Sequence, residues 1–434
     1  MESPAAGIAS PSPSFKTARP NLVLAMLLLV YIFNFVDRQI LSILAAPIQA
    51  DLDLSDAEMG LLGGVAFAVL YSVLGVPLAW LADKTSRSWV ITGSLMIWSG
   101  FTALCGTAVS FTGLFLSRLG VGVGEAGGVA PSYAVIGDYF PSKRRAFALS
   151  IYSLGIPLGS TIGVLAGGYI AAQIDWRTAF FVVGLAGLVI AIPFKLIVKD
   201  RPRLASENAP DSPQFGQIVR LLARKPSFWF LSFGAACSSM LGYGLAFWLP
   251  SLLQRSFGLD LVQTSQFIGA VMLLGGVAGM LAGGWLADRL GTRDKAFYAW
   301  VPASAFFIGV PLFSGGIYTS NVWAAFALFL IPQAMAYVWL GPVLTAVQHL
   351  VPPPARSTAS ALFLLINNLI GIGGGIYALG ALSTALTPIY GAEALRYSML
   401  YSLSLYAVAA LLTACAGPFL RRDWVAEITP PAAP

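Results

Sequence analysis

Long apolar stretches with short polar punctuation dominate the chain. Twelve such runs lie at approximately 21–47, 58–82, 88–109, 111–137, 145–172, 177–198, 227–253, 264–287, 296–314, 321–348, 357–382 and 395–420. Each is close to the ~20 residues with which a helix crosses a hydrocarbon core. Backbone hydrogen bonds must close within the segment there, so the runs predict helices and an all-α membrane protein. The longest polar stretch, 199–226, follows the sixth run. Its Ser206–Pro213 segment has too few apolar residues to bury a core and reads as a linker. The expected layout is a tail at 1–20, a six-helix unit at 21–198, the linker, a second six-helix unit at 227–420 and a tail at 421–434.

Composition agrees with the pattern. Of 434 residues 57% are apolar and 10% charged, with a mean hydropathy of +0.78, and a soluble domain cannot expose so little charge. The first run is too long for a cleaved signal peptide and lacks a small-residue cleavage site, so it is expected to remain. Placing both termini, the linker and the even-to-odd loops on one side gathers nearly all the basic residues there. Only Arg177, Arg255 and Arg396 fall on the other side, whose first loop is acidic (Asp51, Asp53, Asp56, Glu58). The positive-inside bias then makes both termini cytoplasmic, in a bacterial-type inner membrane, with the bilayer as the first partner. The net charge of +6 is thus an orientation signal, and no nucleic-acid partner is expected.

Cys105, Cys237 and Cys415 show no paired spacing, and the single histidine, His349, reads as a solvated residue at the end of the tenth run. Neither a nucleophile–base set nor a phosphate-binding Gly-x4-Gly-Lys-Ser/Thr loop occurs. No enzymatic activity, metal or organic cofactor is therefore expected.

The chain repeats internally. Trp80-Leu-Ala-Asp83-Lys84 returns as Trp285-Leu-Ala-Asp288-Arg289, and Pro131, Pro141 and Arg145 share one spacing to Pro342, Pro352 and Arg356. Two similar halves of six helices in the same orientation imply a pseudo-two-fold axis along the membrane normal and a binding site between the halves.

Ala79-Trp-Leu-Ala-Asp83-Lys-Thr-Ser-Arg87 and Gly284-Trp-Leu-Ala-Asp288-Arg-Leu-Gly-Thr-Arg293 resemble the loop signatures of the major facilitator superfamily; the first copy has Ala79 and Ser86 where glycines are usual. Arg118-Leu-Gly-Val-Gly122-Val-Gly124 and Gly155-Ile-Pro157-Leu-Gly159 are similar to its helix-4 and helix-5 motifs. Asn34-Phe-Val-Asp37-Arg38, Arg118 through Glu125-Ala, and Ser150-Ile-Tyr-Ser-Leu-Gly-Ile-Pro157-Leu-Gly-Ser160 narrow the resemblance to the spinster branch, as a bacterial homologue. The resemblance implies alternating access, a lysophospholipid or sphingoid-like substrate, and proton coupling.

Four ionisable residues lie well inside the runs: Asp37, Arg38, Arg118 and Glu125. A charge at mid-bilayer costs at least ~2.5–3.5 kcal/mol, so such residues usually face a cavity and a partner. At ~1.5 Å per residue Asp37 lies level with Arg118, and Glu125 sits on the same face of its helix about 10 Å nearer the cytoplasm. The expectation is that Asp37 pairs with Arg118 in one state, and that Arg118 swings to Glu125, the proton-accepting carboxyl, in another. Arg38, ~100° around the helix from Asp37, is a gate or cavity residue. The competing reading makes all four a structural lock between helices 1 and 4.

By the same resemblance, Asp83, Arg87, Asp138, Asp288, Arg289 and Arg293 form a cytoplasmic gate that holds the halves together in the outward-open state. Asn34, Tyr243, Trp248, Tyr337, Asn367 and Asn368 are candidate cavity residues, suited to an amphipathic solute. The rival substrate is a small organic anion or drug-like compound held by Arg38 and Arg118. The protein is expected to work as a monomer.

Overall fold

The structure, a computed structural model, describes residues 19–200, 215–352 and 355–425. The outer parts of both tails and most of the linker lie outside the described residues. Among the described residues every regular element is helical. Besides the short helices Ala45–Leu52 and Phe215–Ala223, the described residues form these helical units in chain order: α1 (Pro20–Ile43), α2 (Asp56–Lys84), α3 (Arg87–Cys105), α4 (Phe111–Glu125, then Val129–Tyr139), α5 (Phe147–Gln173), α6 (Trp176–Ile197), α7 (Pro226–Phe257), α8 (Leu261–Gly291), α9 (Phe297–Tyr318), α10 (Val322–Gln348), α11 (Arg356–Asn368, then Gly375–Tyr390) and α12 (Ala394–Ser402, then Ser404–Asp423).

Ten stretches are long and apolar enough to cross a membrane. The difference from twelve arises in two places. Near Gly127 and Gly128, α4 breaks into two pieces too short to span singly, while α11 and α12 run together as the apolar stretch Thr358–Asp423.

Polar residues punctuate the helix ends as elementary capping requires. Ser55 and Glu58 form a capping box at the start of α2, and Asp260 with Gln263 forms another at α8. Ser86, Ser110, Asp175 and Asn321 cap α3, α4, α6 and α10. Small residues then let the helices close on one another. Gly155, Gly159, Gly163 and Gly167 form a ridge on α5 against Tyr31, Ile32, Val36 and Ile40 of α1. On α4, a Cβ at Gly122 would come within 2.6 Å of the Phe67 carbonyl of α2. Both ridges bring backbones together in the manner of small-xxx-small membrane interfaces, and they fix the heights of Asp37, Arg38, Arg118 and Glu125.

Within the first half α1 packs on α5 and α6, and α3 on α4 and α6; within the second, α7 packs on α12 and α11, and α10 on α8 and α9. The halves meet through α5 with α8, α2 with α11, and α1 with α7. Where α2 meets α11, both helices widen to π-helical turns, at Leu61–Val65 and Leu369–Gly374.

The structure adds a helix to the end of the 199–226 stretch and corrects the reading of His349. The stretch read as linker ends in an ordered amphipathic helix, Phe215–Ala223, whose Ile218 and Leu222 are buried against α7 and α11. His349 is not free in solvent: its ring stacks on Trp424 at 4.4 Å, because the segment after α12 folds back and donates Val425 N–H to the His349 carbonyl.

Candidate functional site

The buried charges form two adjoining pairs between α1 and α4. Arg38 donates its Nε–H to Glu125 Oε2 at 2.8 Å, with Glu125 wholly buried. Arg118 Nη1 stands 3.6 Å from Asp37 Oδ1, an ionic contact longer than a hydrogen bond, and both residues are buried. Thr102 of α3 donates to Asp37 Oδ2. The guanidinium of Arg38 is enclosed by the rings of Phe35, Phe67 and Tyr71, at 5.1, 4.8 and 4.6 Å from their centroids, and Arg118 also stands over Phe67. Cation–π attraction is strongest for such desolvated cations.

In this structure the partner of Glu125 is Arg38, while Arg118 faces Asp37. Helical side chains lean towards their helix N-terminus. Arg38 on α1 therefore reaches back towards the Asp83 end of the molecule, while Glu125 on the oppositely running α4 reaches to meet it. Arg118 lies two turns away on α4 and faces Asp37 at its own height. Several atoms of the cluster have no hydrogen-bond partner among the described residues, including Glu125 Oε1, Asp37 Oδ1, and Arg118 Nε and Nη1. Both amide atoms of Asn34, one turn before Arg38, are likewise unpartnered.

Arg38 opens onto a small cleft that also touches Phe67, Arg118 and Tyr243. Beside it lies a cavity of about 150 Å³ between the halves, with Phe35 and Gln39 of α1, Tyr243 of α7, Gln333 and Tyr337 of α10, and Tyr406 of α12 in its wall. The lining is chiefly aromatic and aliphatic, with hydroxyl and amide groups interspersed, a surface for a solute with an apolar body and a polar head.

The comparisons with known proteins agree on one family. The model of the Major Facilitator Superfamily matches residues 27–376. The chain belongs to the major facilitator superfamily. It is 35% identical over 403 residues, 93% of this chain and 94% of the relative, to an "MFS-type efflux pump" of Mycolicibacterium smegmatis. It is 28% identical to "Protein spinster homolog 1" of Homo sapiens, over 85% of this chain and 74% of that one. A crystal structure of a bacterial homologue of the human lysosomal transporter spinster, inward-facing and unoccupied, superimposes with a TM-score of 0.85 at 29% identity, covering 97% of this chain and all of the other. The chain is a multi-pass secondary transporter of this superfamily that works by alternating access, and it resembles the bacterial spinster homologue.

The remaining sequence candidates divide within this superfamily frame. Tyr243 and Tyr337 line the cavity. Trp248 does not: it is fully buried, and its indole N–H donates to the Ile376 carbonyl at 2.9 Å, so it seals α7 against α11. Asn34 is buried beside the charges, and Asn367 accepts from Ser239 Oγ at 2.8 Å with Asn368 next to it. Arg87 joins Asp83 at 2.9 Å and Asp138 at 2.5 Å, all within the first half. Arg289 lies over the Trp285 ring and Arg293 is exposed, while the Asp288 side chain lies outside the described ones.

Sequence reasoning missed a polar cluster at the opposite end. Asp56 of α2 receives Arg255 of α7 through both guanidinium nitrogens at 2.9 and 2.7 Å, Ser383 of α11 at 2.6 Å and Gln49 at 2.8 Å. Ala57 N–H donates to Thr384 Oγ1 at 3.0 Å. Nothing in the local sequence marks Asp56 apart from Asp51 or Asp53, because its partners come from the other half. Thr102 and Gln39 escaped notice because their neighbours come from other helices.

Proposed function

We propose that this transporter is proton-coupled and carries an amphipathic organic solute, with Glu125 and Asp37 as the carboxyls that exchange protons and Arg38 and Arg118 as their switching partners. The carrying observation is the Arg38–Glu125 ion pair, with Glu125 wholly buried and Arg38 lining the cleft beside the cavity. A buried pair contributes little to stability compared with apolar packing, so retaining two side by side favours a working role over a lock. Protonation of Glu125 removes the charge that holds Arg38, freeing the guanidinium to re-pair or meet a solute head group. A pH unit supplies ~1.4 kcal/mol, and 100 mV adds ~2.3 kcal/mol per charge moved. Both are of the size needed to bias two conformers a few kcal/mol apart.

The architecture that fits this reading has twelve crossings in two six-helix bundles, with both termini cytoplasmic, by the positive-inside bias. The Asp56 end is then the closed outer end, as expected of an inward-facing state, and the likeness to the inward-facing spinster homologue supports it.

An amphipathic cargo is favoured over a small anion because Arg38 is already neutralised and ringed by aromatics, and Arg118 is buried. Export of drug-like amphipaths is a second reading, favoured by the likeness to the mycobacterial efflux pump.

The test is proton movement driven by lysophospholipids, sphingoid bases, cationic amphipaths and small organic anions in proteoliposomes. Wild type should show saturable, amphipath-driven proton flux. Glu125→Gln leaves Arg38 buried without a counter-charge, a change of ~3–5 kcal/mol for a broken buried pair, and should abolish that flux while solute binding persists. Solute transport without proton displacement in wild type, or normal coupling in a folded Glu125→Gln, would sink the proposal.

A further inference from the structure

The start of α1 and the corner between α4 and α5 enclose an open groove of about 740 Å³, apart from the cavity and its charges. Its floor is apolar, made by Leu22, Ala25, Tyr139 and Phe140, and Arg19 and Arg144 stand at its rim. Both arginines are exposed, and among the described residues no carboxylate pairs with either. The nearest acidic side chain in sequence, Asp138, is engaged by Arg87 at 2.5 Å. Arg145, beside Arg144, is turned away to donate to the Gly137 carbonyl at 3.0 Å. Arg19 and Pro20 begin one membrane-crossing helix and Tyr139 ends another, so the groove lies at headgroup depth, at the end of the molecule richest in Lys and Arg.

We infer that this groove binds the headgroup phosphate of an anionic phospholipid between Arg19 and Arg144, with an acyl chain laid along Leu22 and Ala25. Guanidinium groups match phosphate oxygens in bidentate geometry, and basic pockets between transmembrane helices at this level select anionic lipids. The apolar floor requires that the phosphate carry a hydrocarbon chain. A free phosphate satisfies only the rim. The bound lipid adds a tie between the start of α1 and the α4–α5 corner.

The experiment compares thermal-unfolding midpoints and native mass spectra of the full chain in detergent with phosphatidylglycerol, phosphatidylcholine or inorganic phosphate added. Wild type should retain bound phosphatidylglycerol and unfold at a higher temperature with it than with phosphatidylcholine, and phosphate alone should have little effect. Arg19→Gln/Arg144→Gln should lose at least half of that lipid-specific shift. Arg220→Gln, which removes an exposed arginine from the Phe215–Ala223 helix, should keep it. If the double variant does not fold, Arg144→Gln alone decides the matter by the same loss. An unchanged shift in the folded variant, an equal loss in Arg220→Gln, or an equal response to inorganic phosphate would overturn the assignment.

Discussion

The two ends of the molecule arrange their charges differently. At the Asp56 end the halves interlock: Asp56 and Arg255 pair across them with Asp56 only 10% exposed, and Gly60, Gly64 and Gly380 bring backbone against backbone where α2 meets α11. At the Asp83 end the ion pairs Asp83–Arg87–Asp138, Asp294–Arg421 and Arg422–Asp423 each lie within one half, and Asp83 is 63% exposed. A contact made of glycine backbones and a bidentate pair on a largely buried carboxylate is specific to one arrangement of the halves. Charges that are satisfied within a half survive when the halves separate. The lesson is that the Asp56 end carries contacts specific to this arrangement of the halves.

The largest effect should follow from filling the closest backbone approach. A Cβ at Gly380 would run into the Asp56 carbonyl and the Trp248 ring. Gly380→Leu should therefore disfavour closure of that end by ~1–3 kcal/mol, the usual cost of overpacking. That corresponds to a population shift of roughly five-fold to more than a hundred-fold. Transport should fall by a similar factor, and labelling of a cysteine at exposed Thr384 should rise. Unchanged labelling would mean that this contact does not hold the state.

Asp56→Asn removes the charge but keeps the shape. With Arg255 still 30% exposed, the loss should be smaller, about 1 kcal/mol. It should be visible as a few-fold rise in the same labelling, and a double variant with Arg255→Gln should add little further.

The smallest effect concerns the Asp83 end. Asp200 joins the end of α6 to the α2–α3 turn. Partial burial raises its carboxyl, but hydrogen bonds from the Ser86 hydroxyl and from the Ser88 N–H and hydroxyl, with Lys195 nearby, outweigh this and hold it below its ordinary value. A depressed carboxyl contributes stability that is present above the unfolded value near ~3.9 and is lost as pH falls through the folded one. The unfolding midpoint of Asp200→Asn should therefore lie slightly below wild type at neutral pH and converge with it in strong acid. A gap that widens on acidification would contradict this.

How much was legible in the sequence follows from the same contrast. The apolar runs marked the helices because a membrane core admits little else, and four charges in such runs stood out unaided. Helical spacing predicted that Asp37 and Arg118 meet. It did not reveal that Arg38 meets Glu125 in this state, because spacing along one helix says nothing of a side chain arriving from another. Trp248 was misplaced because an indole can serve a cavity or a packed seam equally well, and only the approach of Ile376 and Gly380 decides. Asp56 was hidden among its acidic neighbours, since its role depends on Arg255 about two hundred residues away.

The most direct test is to measure distances across both ends in one preparation. Spin labels at Asp53 and Thr387 report the Asp56 end, and labels at Lys84 and Thr292 the Asp83 end; all four positions are exposed. The background must lack Cys105, Cys237 and Cys415. As pH is lowered and an amphipathic solute is added, the Asp56 end should lengthen while the Asp83 end shortens, and Glu125→Gln should remove the pH response of both. Distances that change together, or a folded Glu125→Gln protein that still responds to pH like wild type, would contradict the account.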